Sequence, residues 1–151
     1  MEIEIKFPGG RRVDARVGGR WISTDQPLEH GGEGGAPGPF DLFLASIATC
    51  AGFYVLAFCE ARHIPLDGIR MRQLVEDDAG TKLPARIRIE LELPPSFPAS
   101  YRAAVVRAAE GCKVKRTLAS MPRIEVTERS TSSAAAPPPS ETTAAQLPRA
   151  S

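Results

Sequence analysis

The sequence predicts an α+β fold, with elements in the order β-β-β-α-β-β-α-α-β. Three observations carry that reading. Apolar and charged residues alternate with a period of two at both ends of the first two-thirds of the chain, in 2-EIEIK-6 and 85-ARIRIELEL-93. Between them, 42-LFLASIATCAGFYVLAFC-59 runs eighteen residues without a charge, in a chain where 25% of residues are charged. From residue 129 the composition shifts to small and polar residues, 130-STSSAAAPPPSETTAAQLPRAS-151, whose one apolar residue larger than alanine is Leu147.

The elements follow in order. Residues 2–6 read as a strand with one wet face, and Pro8, Gly9 and Gly10 turn it. A second strand is expected over 11–17, a Gly18-Gly19 hairpin turn after it, and a third strand over 20–24. The segment 30-HGGEGGAPGP-39 is a glycine-rich loop. It has neither the GxxxxGK[ST] pattern nor a GxGxxG between strand and helix, so it is not read as a nucleotide loop. Pro39 opens a helix, with Asp41 at its positive end. That helix runs to about Arg62, because Ile64 precedes a proline. Residues 68–77 and 85–93 form a second antiparallel ribbon, with Ile87, Ile89, Leu91 and Leu93 on one face and Arg86, Arg88, Glu90 and Glu92 on the other. A helix over 98–111 closed by Gly111, a short helix over 112–120 and a strand at 124–127 complete the domain. The folded unit is expected over residues 1–128. Residues 129–151, with their prolines and few large apolar groups, are expected to be disordered.

Composition narrows the function. The net charge of +1 offers no argument for nucleic acid or an anionic membrane as partner. The opening MEIEIKFPGGRR has no apolar signal core, and three cysteines make an odd count without a disulfide framework. A reducing, cytoplasmic location is expected. The uncharged run is short for a membrane span, since eighteen residues rise about 27 Å against a hydrocarbon core of about 30 Å. A soluble helix apolar all round must be buried on every side. The sheets of so small a domain cover one side, which predicts a homodimer covering the other.

Cys50 and Cys59 lie nine residues apart on that helix. At about 100° per residue they face opposite ways and cannot bond to each other within an intact helix. Cys112, in 111-GCKVKR-116, follows a helix-ending glycine and opens a new helix beside Lys113, Lys115 and Arg116, a setting that favours thiolate. Cys50 sits among apolar residues. It is either buried filler or a thiol that needs an outside cation. Cys59 and His63, four residues apart, make a possible ligand pair, but structural zinc needs four ligands and no CxxC or HxxxH supports one.

The run 34-GGAPGPFDLFLASIATC-50, followed by 112-CKVKRTLASMPRIEV-126, resembles the OsmC/Ohr family. The family pattern resembles G-x-P-x-[DE]-L-x-x-A-x-x-x-C, then C-x-V-x-x-[ST]-L, and its residues appear here in the expected order, as Gly38, Pro39, Asp41, Leu42, Ala45, Cys50, then Cys112, Val114, Thr117 and Leu118, with the resemblance covering about residues 1–127. The resemblance implies an intertwined α+β homodimer with active sites at the subunit interface and no metal or organic cofactor. It implies a thiol peroxidase acting on organic hydroperoxides. Cys50 would become a sulfenic acid, Cys112 would resolve it as a disulfide, and an external thiol reductant would reopen that bond. Phe43, Ile47, Phe53 and Tyr54 would form the substrate wall. An arginine of the N-terminal strands, Arg11 or Arg12 in 9-GGRR-12 with Arg16 and Arg20 behind, would activate Cys50. The peroxidase branch pairs that arginine with a glutamate ten residues before the first cysteine. Phe40 stands there in this chain, which places it closer to the general OsmC-like branches. The rival reading is a non-catalytic dimer of the same fold that holds an apolar small molecule between its subunits.

Overall fold

The computed structural model describes residues 1–129. The low-complexity segment therefore lies, from residue 130 onward, outside the described residues. The chain opens with three strands, β1 (Ile3–Gly9), β2 (Arg12–Val17) and β3 (Arg20–Ile22), in an antiparallel sheet of that order. Val17 pairs with Arg20 across a two-residue turn. Gly18 and Gly19 both have positive φ there, 55° and 81°, the conformation such a tight hairpin demands. After the glycine-rich loop comes α1 (Pro39–Glu60), then the hairpin β4 (Arg70–Asp77) and β5 (Pro84–Glu92). A 3-10 turn at Ala99–Tyr101 leads into α2 (Arg102–Glu110), and α3 (Lys113–Ser120) follows.

The start of α1 is specified locally. Pro39 occupies the first turn, and the backbone N–H of Gly38 donates to the Asp41 carboxylate at 2.9 Å, satisfying an amide that the helix leaves unpaired. The hairpin keeps the expected faces. Met71 faces Leu91, Gln73 faces Ile89 and Val75 faces Ile87 on the inner side, while Arg72 pairs with Glu90 on the outer side at 2.6 Å. The core lies where α1, α2 and the hairpin meet. Val55, Cys59, Phe97 and Val105 are buried there, with Met71, Leu91 and Leu93 packed around them.

One expectation is corrected. No strand forms at 124–127: alternation makes a strand only where a partner edge receives it, and Ile124 and Val126 are exposed and pair with nothing among the described residues. Gly111 closes α2 as expected, at φ −75°, and the chain turns at once into Cys112 and the next helix. Its own chain encloses α1 on one side, as the sequence leads one to expect. By length and composition α1 would suffice to cross a membrane. Within the protomer it buries one stripe, Ile47, Ala51, Val55 and Cys59, at four-residue spacing. Phe53 on its outer side is 62% exposed. The N-terminal sheet is similarly uncovered: Ile3, Ile5 and Ile22 share its apolar face, and all three are exposed.

Candidate functional site

A cavity of about 360 Å³ opens between α1, the β4–β5 hairpin and the two C-terminal helices. Ile47 and Ala51 contribute the α1 wall, Met71, Ile89 and Leu91 the hairpin wall, and Val106 that of α2. The polar groups at its edge are Cys112, Lys115 and Glu110. The site is thus an apolar chamber with one thiol on its wall.

Cys112 reaches that wall for a local reason. The chain leaves α2 at Gly111 and is extended at Cys112, which becomes the N-cap of α3. Its Sγ accepts the backbone N–H of Lys115 at 3.3 Å, and the residue is 1% exposed. The sulfur does here what a serine oxygen does at an ordinary helix start. Cys50 is partly buried on α1, one residue before Ala51 and three after Ile47, so it sits on the flank of the helix next to the cavity-lining stripe. Because α1 packs against α3, the two cysteine-bearing segments are neighbours. Both cysteines are free thiols.

Of the four residues expected to form a substrate wall, Ile47 lines the cavity. Phe43, Phe53 and Tyr54 do not. Phe43 stacks on Phe40 at 5.5 Å, and Phe53 meets Tyr54 edge to face at 6.0 Å, on the side of α1 that the protomer leaves open. Arg11 and Arg12 line a different concavity, between the β1–β2 turn and Gln26 and His30, which shares no lining residue with the cysteine cavity. Within one protomer the structure does not bring the arginines and the thiols together. Cys59 is fully buried in the core, and burial pushes its thiol up, with Arg62 opposing. His63 lies beyond the end of α1 with φ 53°, so it does not share a helix face with Cys59.

Two carboxylates were not singled out by the sequence, and both belong to the arginine region. Asp25 is 1% exposed and organises the glycine-rich loop. One of its oxygens accepts the N–H of Gln26 at 2.8 Å, and the other accepts those of Glu33 at 3.1 Å and Gly35 at 3.0 Å. The N–H of Gly35, with those of Gln26 and Glu33 and the nearby Arg12 charge, holds its carboxyl below the usual range against the opposing effect of burial. The loop admits only glycine at Gly32, where a Cβ would stand 1.8 Å from the carbonyl oxygen of Gln26. Asp14 is 3% exposed in the middle of β2, with Lys6 Nζ at 3.4 Å from one oxygen and Arg12 at 3.9 Å from the other. An aspartate before a glycine-rich loop was a readable signal for Asp25. Asp14 looked like one more charge on a wet strand face.

Comparison with known proteins agrees with this fold. The sequence profile of the family described as OsmC-like protein matches residues 32–127. No curated protein sequence matches the chain. Among solved structures, a Psychrobacter arcticus 273-4 protein, described as an osmotic stress induced and detoxification response protein, is 20% identical with a TM-score of 0.65, covering 76% of this chain and 85% of that one. The OsmC-like protein of Mycoplasma pneumoniae is 15% identical with a TM-score of 0.63, over 80% and 87% of the two chains. An organic hydroperoxide resistance protein OsmC of Legionella pneumophila is 24% identical with a TM-score of 0.50, over 78% and 87%. At these identities the likeness is one of fold.

Proposed function

The chain belongs to the OsmC-like family, and on that premise we propose that it is a homodimeric thiol peroxidase of organic hydroperoxides. The observation that carries the reading is Cys112, buried on the wall of an apolar cavity and held at a helix start, with Cys50 on the neighbouring face of α1. The name of the Legionella pneumophila neighbour supports the same substrate class.

The Cys50 thiolate attacks one peroxide oxygen. The O–O bond breaks, an S–O bond forms, and the other oxygen leaves as an alkoxide that takes up a proton to become the alcohol. Cys50 is then a sulfenic acid. The Cys112 sulfur attacks that sulfur, expels the oxygen as water and forms a disulfide, which protects Cys50 from further oxidation. An external dithiol returns both cysteines to the reduced state by exchange. The apolar chamber suits the organic part of the peroxide. A reducing, cytoplasmic location fits a cycle that ends in thiols.

The second subunit supplies what the protomer lacks. The apolar face of the N-terminal sheet and the outer face of α1 both stand uncovered, and each is apolar enough to cover the other across a twofold axis. Such a dimer brings an arginine of the β1–β2 turn to the partner's Cys50, where a nearby cation favours the thiolate. Asp41, the neighbouring carboxylate, has one oxygen engaged by the Gly38 N–H.

The test is mass spectrometry of the full chain after one equivalent of cumene hydroperoxide, on wild type, Cys50→Ser and Cys112→Ser. The expected result is a Cys50–Cys112 disulfide in wild type and a trappable sulfenic acid at Cys50 in Cys112→Ser. Three unmodified thiols in wild type would overturn the reading and favour a dimer that binds an apolar molecule without chemistry.

A further inference from the structure

We propose that Arg12, rather than Arg11, is the arginine that serves Cys50, and that the buried carboxylate of Asp14 is the positioning residue that holds it. This rests on the peroxidase reading only in its choice of thiol. The carboxylate that steadies the arginine then comes from β2 and not from the first turn of α1.

The two arginines are adjacent in sequence but differ in surroundings. Arg11 makes no ion pair among the described residues, and its guanidinium lies over Gly31. Arg12 shares a strand face with Asp14 and also lies close enough to Asp25 to act on its charge. Both carboxylates are almost wholly buried. A buried carboxylate is costly unless cations compensate it. For Asp14 those cations are Lys6, at one oxygen, and Arg12, at the other.

The oxygen facing Arg12 is the informative one. Asp14 Oδ1 is buried and accepts no hydrogen bond from any described residue. Arg12 stands 3.9 Å from it, beyond hydrogen-bond reach but well within attraction. None of the Arg12 donors is committed to a hydrogen bond among the described residues, and its side chain remains 45% exposed. The guanidinium is thus tethered from behind and open in front. One edge can close onto Asp14 while the other edge meets an anion arriving from outside the protomer. A planar fork can serve two acceptors at once, which a lysine cannot do with the same geometry. Lys6 is not free for that role, because its ammonium lies 4.0 Å over the Trp21 ring as well as against Asp14.

The substitution at Phe40 fits the same arrangement. With phenylalanine in the first turn of α1, stacked on Phe43, the only carboxylate of that turn is Asp41, and one of its oxygens is engaged by the Gly38 N–H. Asp14 takes over the holding role from within the arginine's own sheet.

The experiment measures the pH profile of Cys50 alkylation by iodoacetamide, together with cumene hydroperoxide consumption at pH 7. It uses the full chain as wild type, Asp14→Asn, Arg12→Lys and Arg11→Lys. The alkylation midpoint is expected to rise in Asp14→Asn and Arg12→Lys, with peroxide consumption falling about 3- to 10-fold. Arg11→Lys is expected to shift the midpoint less than Arg12→Lys. An Asp14→Asn protein with an unchanged melting temperature and a wild-type profile would overturn the role of Asp14. A larger shift in Arg11→Lys than in Arg12→Lys would overturn the choice of arginine, and that comparison holds even if Asp14→Asn does not fold. A wild type that leaves cumene hydroperoxide untouched would overturn the peroxidase reading alone, since alkylation still reports whether Arg12 and Asp14 act on Cys50.

Discussion

Replacing Phe53 by glutamate is expected to abolish the proposed dimer. Phe53 lies on the outer side of α1 and is 62% exposed in the protomer, although it belongs to a helix with no charge between Asp41 and Glu60. A phenylalanine side chain presents on the order of 200 Å², so about 125 Å² of ring surface remains for a partner to bury. At about 25 cal/mol per Å² that burial contributes about 3 kcal/mol. In a twofold dimer the residue appears twice, which gives about 6 kcal/mol, or about four decades in Kd. The rigid-body entropy of association is common to wild type and variant and cancels in the difference. The glutamate adds the cost of desolvating a charge. Sedimentation equilibrium over a range of micromolar concentrations reads the shift directly. A wild type that is monomeric at those concentrations, or a Phe53→Glu protein with wild-type association, would refute the reasoning that the uncovered face of α1 meets a second subunit.

The other predictions concern the protomer. Val105→Ala removes a fully buried side chain where α2 meets α1, and is expected to cost about 2 kcal/mol, read as a lower urea midpoint at unchanged slope; no change would mean that α2 does not close the core. Asp25 has a folded-state pKa below its unfolded value of about 3.8, so its contribution is fully present above that pH and is lost as pH falls through the folded value. The urea midpoint of Asp25→Asn should therefore lie below that of wild type at pH 7, with the gap narrowing below about pH 4. A gap independent of pH would show that the charge on Asp25 does not hold the loop.

The parts of this protein that were legible early are those with strong local causes. The hairpin β4–β5 was readable because its alternation extends over a full strand, and the start of α1 because Pro39 and Asp41 each fit a first-turn role. The strand expected at 124–127 had alternation as well, but pairing depends on a neighbour that no short window of sequence contains. Of the expected substrate wall, Ile47 alone lines the protomer's cavity, for a related reason. Phe43, Ile47, Phe53 and Tyr54 are all apolar, and only the packing of α1 against α2 and the hairpin decides that Ile47 turns inward while Phe53 turns out.

By itself, the sequence determined the α+β order of elements as far as α3, the capped central helix and the two cysteine segments, since periodicity, capping and motif spacing are written in residues close along the chain. Tertiary structure alone decided that Cys112 is a helix cap on the wall of an apolar cavity, that Asp14 is buried with one oxygen open, and that the arginines stand apart from the thiols within a protomer. The physical reason is that burial and proximity are properties of the packed chain. A strand aspartate between two arginines looks the same in sequence whether water or protein surrounds it, and only the packing around β2 puts it in protein.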